Sequence, residues 1–305
     1  MNTSSNAGLN RSTMKDKRNV AVSLILATVG RTSELDRLFN SLAAQTMHDF
    51  EVVVVDQNPD ARLQPHLLRA ASLGLLIKYL QHRPANLAAA RNAGIDVAAG
   101  EWLGFPDDDC WYDCHALENV MGKGSRESPH SVKHEGIIGR WVEQPLSGPA
   151  ASRLSWQRSR QFRDVPVSSI TLFLRRSLIE RIGGFDTRLG VGQWFGAAEE
   201  TDLVLRALRH GATVIHEPGV QVHHAYSLAA PSGDSAARKA ARGRARGTGA
   251  LYAKHGLPLW VIVRGLCAPL MVPLLKGAFG TELAYGWSVA RGRLDGLLGW
   301  DRRQS

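Results

Sequence analysis

Apolar positions recur along the first hundred residues in two alternating rhythms. The runs "VAVSLILAT" (20–28) and "FEVVVVD" (50–56) are continuous and rich in β-branched residues, the pattern of strands buried on both faces. Between them Leu35, Leu38, Phe39, Leu42 and Ala43 fall at helical spacing and make one apolar stripe, with Ser33 and Asp36 offering a weak capping signal. The alternation then repeats. A turn at Asn58-Pro59-Asp60 leads to a helix around 62–73, a strand over 75–82, an Ala-rich helix over 86–100 stopped by Gly100, and the short strand "WLGF". Such alternation predicts a parallel α/β sheet with helices on both faces.

The second half is less regular. "GIIGRWVEQ" (136–144) and "SSITLFLRR" (168–176) read as strands around a polar, aromatic-dotted linker, "SWQRSRQF", expected to be a loop near the site. "AAEETDLVLRALRHG" (197–211) reads as a helix with Glu199, Glu200 and Asp202 in its first turn. "ATVIHEPGVQVHH" reads as two short strands ending in His223 and His224. The expected organisation is a polar tail over 1–19, a catalytic domain over 20–230 divided near 110, and a basic, then apolar, helical region over 231–305.

Composition sharpens this outline in three places. With 44% hydrophobic and 21% charged residues in a chain of 305, a sizeable core is available and wholesale disorder is excluded. The tail lacks the apolar stretch of a secretory signal, and three cysteines, Cys110, Cys114 and Cys267, make neither a disulfide framework nor zinc spacing, so a reduced, cytoplasmic setting is expected. The formal net charge of +9 is concentrated near Arg238, Lys239, Arg242, Arg244 and Arg246, a stretch that seeks phosphates.

The candidate chemistry lies at strand ends, where open α/β sheets bind ligands. "FPDDDCWY" places Asp107, Asp108 and Asp109 just after the fourth strand, Asp56 ends the second, and Arg91 lies on the helix between. A run of carboxylates can begin a helix, but adjacent negative charges repel, and hard oxygen ligands favour Mg2+ or Mn2+ with a phosphate. The acids at 199–202 have an ordinary explanation in the helix macrodipole. The glycine-rich, aromatic loop before them presents that helix start to a pocket, where a carboxylate can serve as a base. Two alternatives fail on motif: only Gly30 follows the first strand, so no G-x-G-x-x-G is present, and no phosphate-cradling G-x-x-x-x-G-K-[ST] occurs.

Taken in order over roughly 20–225, "ATVGR", "FEVVVVDQN", "NLAAARNAG", "FPDDDCW", "GGFD", "AAEETDLVLRAL" and "VHH" resemble the family 2 glycosyltransferases. The resemblance implies a Rossmann-like nucleotide-diphospho-sugar transferase fold, with a mixed, mostly parallel sheet, and inverting transfer from a UDP-, dTDP- or GDP-linked sugar. It implies that Thr28 and Arg31 border the nucleotide, that Asp56 accepts from the base and that Arg91 lies near the phosphates. Asp107 and Asp109 would be the Asp-x-Asp pair around Asp108, divided between the ribose and an Mn2+ or Mg2+ ion. One of His223 and His224 would sit near that metal. Glu200 would be the base, with Glu199 and Asp202 beside it and the choice between Glu199 and Glu200 left open. The "DDGS" usual after strand two reads "DQNPD", keeping only the first acid.

The segment 257–279 is apolar enough to suggest a membrane span, but Arg264, Pro269, Pro273 and Lys276 argue instead for a broken, interfacial segment with Trp260 and Trp287 at headgroup level. The expected partners are a nucleoside diphosphate sugar, a glycan or lipid-linked acceptor and the cytoplasmic surface of the inner membrane. Nucleic acid is not expected, because the cations are not interleaved with aromatics. A non-catalytic, nucleotide-sugar-binding scaffold is the rival reading.

Overall fold

The computed structural model describes residues 20–124, 134–144, 153–164, 167–225 and 234–301; the expected tail over 1–19 lies outside them. β1 (Val22–Thr28), β2 (Phe50–Asp56), β3 (Ile77–Gln81) and β4 (Trp102–Gly104) alternate with α1 (Leu35–Ala43), α2 (Gln64–Ser72) and α3 (Leu87–Val97). β1 is parallel to both β2 and β4, so the chain runs outward to β3 and returns on the other side of β1. That reversal opens a crevice at the carboxyl ends of β1 and β4. Thr28 and Asp56 are paired in register beside it.

The next elements extend the sheet: β5 (Cys110–Tyr112), α4 (Ala116–Gly124), β6 (Gly136–Trp141), α5 (Trp156–Ser159), β7 (Leu172–Arg175), α6 (Arg176–Ile182), α7 (Glu199–Arg209) and β8 (Val214–His224). The strand order is β3-β2-β1-β4-β7-β6-β8-β5, with β7 antiparallel to β4 and β6 and β5 antiparallel to β8. Side-chain alternation sorts the core into two layers. Leu24 and Leu26 pack with Leu38, Phe39 and Leu117 on one face, while Ile25 and Ala27 pack with Ala90, Leu178, Leu203 and Val204 on the other.

Several local expectations change. Cys110–Tyr112, to which the sequence assigns no element, is a strand. The segment read as two strands is the single strand β8, because its pairing with β6 steps from Ile138–His216 to Arg140–Gln221 and the intervening residues, including Pro218, bulge opposite Gly139. At Gly139 a Cβ would collide with the Val220 carbonyl, so the bulge needs glycine there. The linker expected to be a loop contains α5. The predicted Ser33 cap does not form: its hydroxyl donates to the Glu34 carboxylate, and Asp36 holds His66 instead.

The C-terminal region is α8 (Ser235–Lys254), α9 (Leu259–Leu275) and α10 (Thr281–Gly299). α8 is bonded into the sheet domain. Gly247 lies against the Ala197 carbonyl with no room for a Cβ, and Ala250, Leu251 and Trp300 join Leu189, Phe195 and Leu205 in one cluster. Pro269 and Pro273 sit inside α9 without breaking it. Each proline leaves a carbonyl four residues back without its helical donor. The Gly265 carbonyl accepts from Arg293 of α10, and the Pro269 carbonyl lies against the backbone of Gly286. The helix survives because α10 covers the gaps.

Candidate active site

One side of the crevice is set by β2. One oxygen of Asp56 accepts from the Asn58 backbone and side-chain amides, each at 2.8 Å, and the other accepts from the Tyr79 hydroxyl at 2.9 Å. Asn58 in turn accepts from the Gly30 amide at 2.7 Å, tying the loop after β1 to the loop after β2. The "DQNPD" departure therefore keeps a function, since Asn58 orients the acid that remains. Tyr79, half exposed on edge strand β3, was not singled out in the sequence; an aromatic beside Asp56 has no local signature.

The three aspartates have three different surroundings. Asp107 receives Arg91 Nη2 at 2.9 Å and is about one-third exposed. Asp108 is buried: its Oδ2 accepts from the Thr28 hydroxyl at 2.7 Å and its Oδ1 meets Arg31 Nη2 at 2.7 Å. Burial, with the neighbouring charges of Asp109 and Asp107 adding to it, pushes the Asp108 carboxyl upward despite Thr28 and Arg31. Asp109 pairs with Arg31 and, through Oδ1, lies 3.0 Å from His224 Nε2. Thr28 and Asp108 thus satisfy each other inside the protein, while Asp107 and Asp109 face the crevice on either side.

His224 reaches Asp109 because β5 pairs with β8, setting Cys110 opposite His224 and Trp111 opposite His223. Strand alternation separates the two histidines, as expected. His223 is turned to Glu143 at 2.7 Å and stacks on Trp111, so it is not brought to the aspartates.

Arg91 joins the two halves of the site. It is 1% exposed, and its Nη1 lies 3.3 Å from Glu199 Oε1 while Nη2 holds Asp107. Ala198, before the acids, has φ of 83°, a left-handed conformation that costs a non-glycine residue roughly 1–2 kcal/mol. That residue aims the first turn of α7 at Arg91. Burial first, then the negative charge of Glu199, pushes the Glu200 carboxyl up to about 8. Asp107, Glu199, Glu200 and His224 line one cleft of about 270 Å3 with Trp141 and Arg244. Arg244, exposed on α8, entered the sequence reading only as part of a basic stretch; the bond from the Gly196 amide to the Gly243 carbonyl at 3.2 Å brings it here.

Asp202 does not belong to this cluster. Its fully buried carboxylate meets Arg206 Nε at 2.9 Å, Lys254 Nζ at 2.8 Å and His255 Nε2 at 2.9 Å, joining α7 to α8. Its place in the first turn of α7 serves packing rather than the cleft.

With the Glu200 carboxyl held up to about 8, the carboxylates of Asp107, Asp108, Asp109 and Glu199 still outnumber the guanidiniums of Arg31, Arg91 and Arg244, so the crevice favours a further cation. Asp109 and His224 offer an oxygen and a nitrogen on one spot, and Arg31, 55% exposed, already sits there as a positive stand-in. No group of three or more metal-binding side chains occurs among the described residues. One or two carboxylates plus phosphate oxygens is the usual pattern for Mg2+; Asp109 supplies one such carboxylate and His224 a nitrogen, which Mn2+ accepts more readily than Mg2+, so the pair fits a divalent ion that arrives with a diphosphate.

Comparison with known proteins gives a consistent result. A Mycobacterium tuberculosis PGL/p-HBAD biosynthesis glycosyltransferase is 28% identical over 172 residues, covering 55% of this chain and 64% of that relative. The O-antigen biosynthesis protein RfbC of Myxococcus xanthus is 27% identical over 228 residues, 67% of this chain but 17% of its own length. This chain therefore spans less than two thirds of these curated relatives. Among solved structures, the mannosyltransferase PcManGT from Pyrobaculum calidifontis, in complex with GDP-Man and Mn2+, superposes with a TM-score of 0.61 at 17% identity, covering 92% of this chain and 88% of that one. Staphylococcus aureus TarS 1-349 gives 0.56 at 14%, covering 93% and 92%. At these identities the likeness speaks to the fold, which is the Rossmann-like, nucleotide-diphospho-sugar type expected. Residues 23–176, from the first strand through the aspartates to the end of β7, match the family model described as Glycosyl transferase family 2, and the chain belongs to that family.

Proposed function

We propose that this chain transfers a sugar, with inversion, from a nucleoside diphosphate sugar to an acceptor hydroxyl. The observation that carries the reading is the Arg91 bridge. One buried guanidinium holds Asp107, beside the aspartates suited to a diphosphate, and Glu199, beside the acid suited to be the base. The neighbouring mannosyltransferase, solved with GDP-Man and Mn2+, and TarS, solved with UDP-GlcNAc, support a donor of this class.

Each residue then has a physical task. Asp56 and Tyr79 present an acceptor and a hydroxyl to the base and ribose at the β2–β3 edge. Arg31, on an exposed stem, leaves Asp109 to follow the phosphates. Asp109 and His224 would hold Mn2+ or Mg2+, which when bound draws off negative charge developing on the leaving diphosphate. Arg244, on the cleft wall, adds a positive charge toward the same oxygens. Glu200 takes the proton of the attacking hydroxyl, and Arg91 holds Glu199 in place beside it. Attack at C1 opposite the diphosphate gives inversion in one displacement.

A thermal-shift screen against UDP, GDP and dTDP with Mn2+ tests the donor half. One of them should stabilise the protein, by about 2.7 kcal/mol at a hundredfold excess over its Kd. Asp109→Ala should remove the Mn2+-dependent part, and absence of any nucleotide shift would overturn the reading. Turnover of the matching donor then separates an enzyme from a scaffold.

The same proposal extends to an acceptor carried on or near a lipid surface, with the protein peripheral on the cytoplasmic face of the membrane. No helix among the described residues is long and apolar enough to cross a membrane. α9, α10 and the turn between them nevertheless expose Leu259, Trp260, Val263, Leu275, Phe279 and Trp287. The cations of α8 contribute less than their number suggests, because Arg242 meets Asp295 of α10 at 2.6 Å and Arg246 lies 3.9 Å from it. Trp260→Ser with Phe279→Ser should weaken sedimentation with anionic vesicles by about tenfold or more. Unchanged sedimentation would remove the membrane from the proposal.

A further inference from the structure

A second cavity, of about 460 Å3, lies across α7 from the catalytic cleft. Glu199 and Glu200 line the cleft, whereas Thr201, Val204 and Leu205, further along the same helix, line this cavity together with α8, α9, α10 and the segment around α5. Its size suits a small molecule. The walls are mostly apolar, with Leu154, Phe162, Val204, Leu205, Val261 and Ala268 facing the space.

Two guanidiniums break that apolar lining, and neither is neutralised by a described carboxylate. Arg264, exposed at the rim, donates to the Gln161 carbonyl and lies 5.2 Å over the Trp260 ring. Arg293, half-buried, donates to the Gly265 carbonyl, and its Nε is buried without a partner. The carboxylate in the wall, Asp164, is engaged elsewhere, by Arg158 at 2.8 Å and the Ser159 hydroxyl at 2.5 Å. Burial beside apolar surface without a carboxylate is unfavourable for the Arg293 guanidinium unless an anion joins it, and exposed Arg264 adds a second positive charge at the rim. The space therefore asks for a ligand with an apolar body and a negative head.

We propose that this cavity binds an anionic amphiphile, a single apolar chain ending in a phosphate, with the phosphate on Arg264 and Arg293 and the chain among Val204, Leu205, Val261 and Ala268. The exposed apolar residues of α9 adjoin the rim, so such a molecule can enter from a lipid surface. On the transfer reading this is where the lipid part of an acceptor is held, one residue along α7 from Glu200; the binding itself does not depend on that reading.

Titration of the full chain with dodecyl phosphate, below its micelle threshold and without any sugar donor, tests the site by calorimetry. Saturable one-to-one binding is expected. Dodecanol and inorganic phosphate, tested separately, should each bind at least about tenfold more weakly, as should dodecyl phosphate to Arg264→Gln. Ala268→Phe, which fills the cavity, should abolish binding, with Thr248→Phe, at another lining residue, as the second filling variant should the first fail to fold. Arg209→Gln, an exposed arginine of α7 outside the cavity, should leave affinity unchanged. Equal affinity for dodecanol and dodecyl phosphate would overturn the anionic part, and undiminished binding to a folded filling variant would overturn the site. Failure here leaves the nucleotide screen untouched, so the two readings are separable.

Discussion

Glu200→Gln should lower turnover by about 10²–10⁴ while leaving the nucleotide-induced thermal shift intact, because it removes a proton acceptor and nothing that touches the donor. The pH profile carries more information than the loss. Burial, then the charge of Glu199, hold the Glu200 carboxyl up to about 8. A base works in its ionised form, so kcat/KM of the wild type should climb as pH rises through that region and level off above it. Glu199→Gln removes the neighbouring charge and should move the climb to lower pH, at the expense of the Arg91 contact. If Glu199 were the base instead, its glutamine variant would show the larger loss. Unchanged turnover in both variants would remove α7 from the chemistry. The sign for stability runs the other way. An acid whose folded pKa is raised favours the folded state most at low pH, so that contribution fades between the ordinary carboxylate range and about pH 8.

How much of this was legible depended on how local each feature is. "FEVVVVD" announces β2 residue for residue, since a buried strand needs only its own apolar run, and the strand-end placement of Asp56 and the aspartates follows from it. Cys110–Tyr112 was missed because three residues carry no alternation, and their partner is β8, far along the chain. That pairing brings His224 rather than His223 to Asp109, so two candidates reduce to one by register. The prolines of α9 misled for a related reason. Pro269 and Pro273 break a helix in isolation, but the Gly265 carbonyl that Pro269 exposes is met by Arg293, a residue of another helix. Arg244 reaches the cleft only because α8 docks beneath the loop before α7. Features resting on one segment were readable, and those resting on contacts between distant segments were not.

Asp202 is the sharpest case, and its substitution should be the most damaging to stability. Three acids fill the first turn of α7, and the macrodipole favours all of them alike. What separates them is partners. Glu199 meets Arg91, whereas Asp202 meets Arg206, Lys254 and His255. Burial works against its charge, but the His255 hydrogen bond, with Arg206 and Lys254, outweighs burial and holds the carboxyl below its usual range. Asp202→Ala leaves Arg206 and Lys254 without this anion and the His255 ring without its hydrogen-bond partner, a loss of about 3–5 kcal/mol, equivalent to roughly 10 °C in Tm. Lys254 retains Asp186 at 2.7 Å, which places the expected loss toward the lower end of that range. Because a depressed carboxyl contributes stability only while ionised, the gap between wild type and variant should close as pH falls through and below the ordinary carboxylate range. The surviving folded protein should keep its turnover per active site, the outcome that separates an anchor from a catalytic acid; a large fall in kcat with unchanged Tm would return Asp202 to the catalytic set. The same contacts explain why removing everything after residue 230 is a poor test of membrane attachment. It strips Lys254 and His255 from a buried carboxylate, so the truncated chain would be damaged before it met a membrane, and exposed residues of α9 are the right place to intervene.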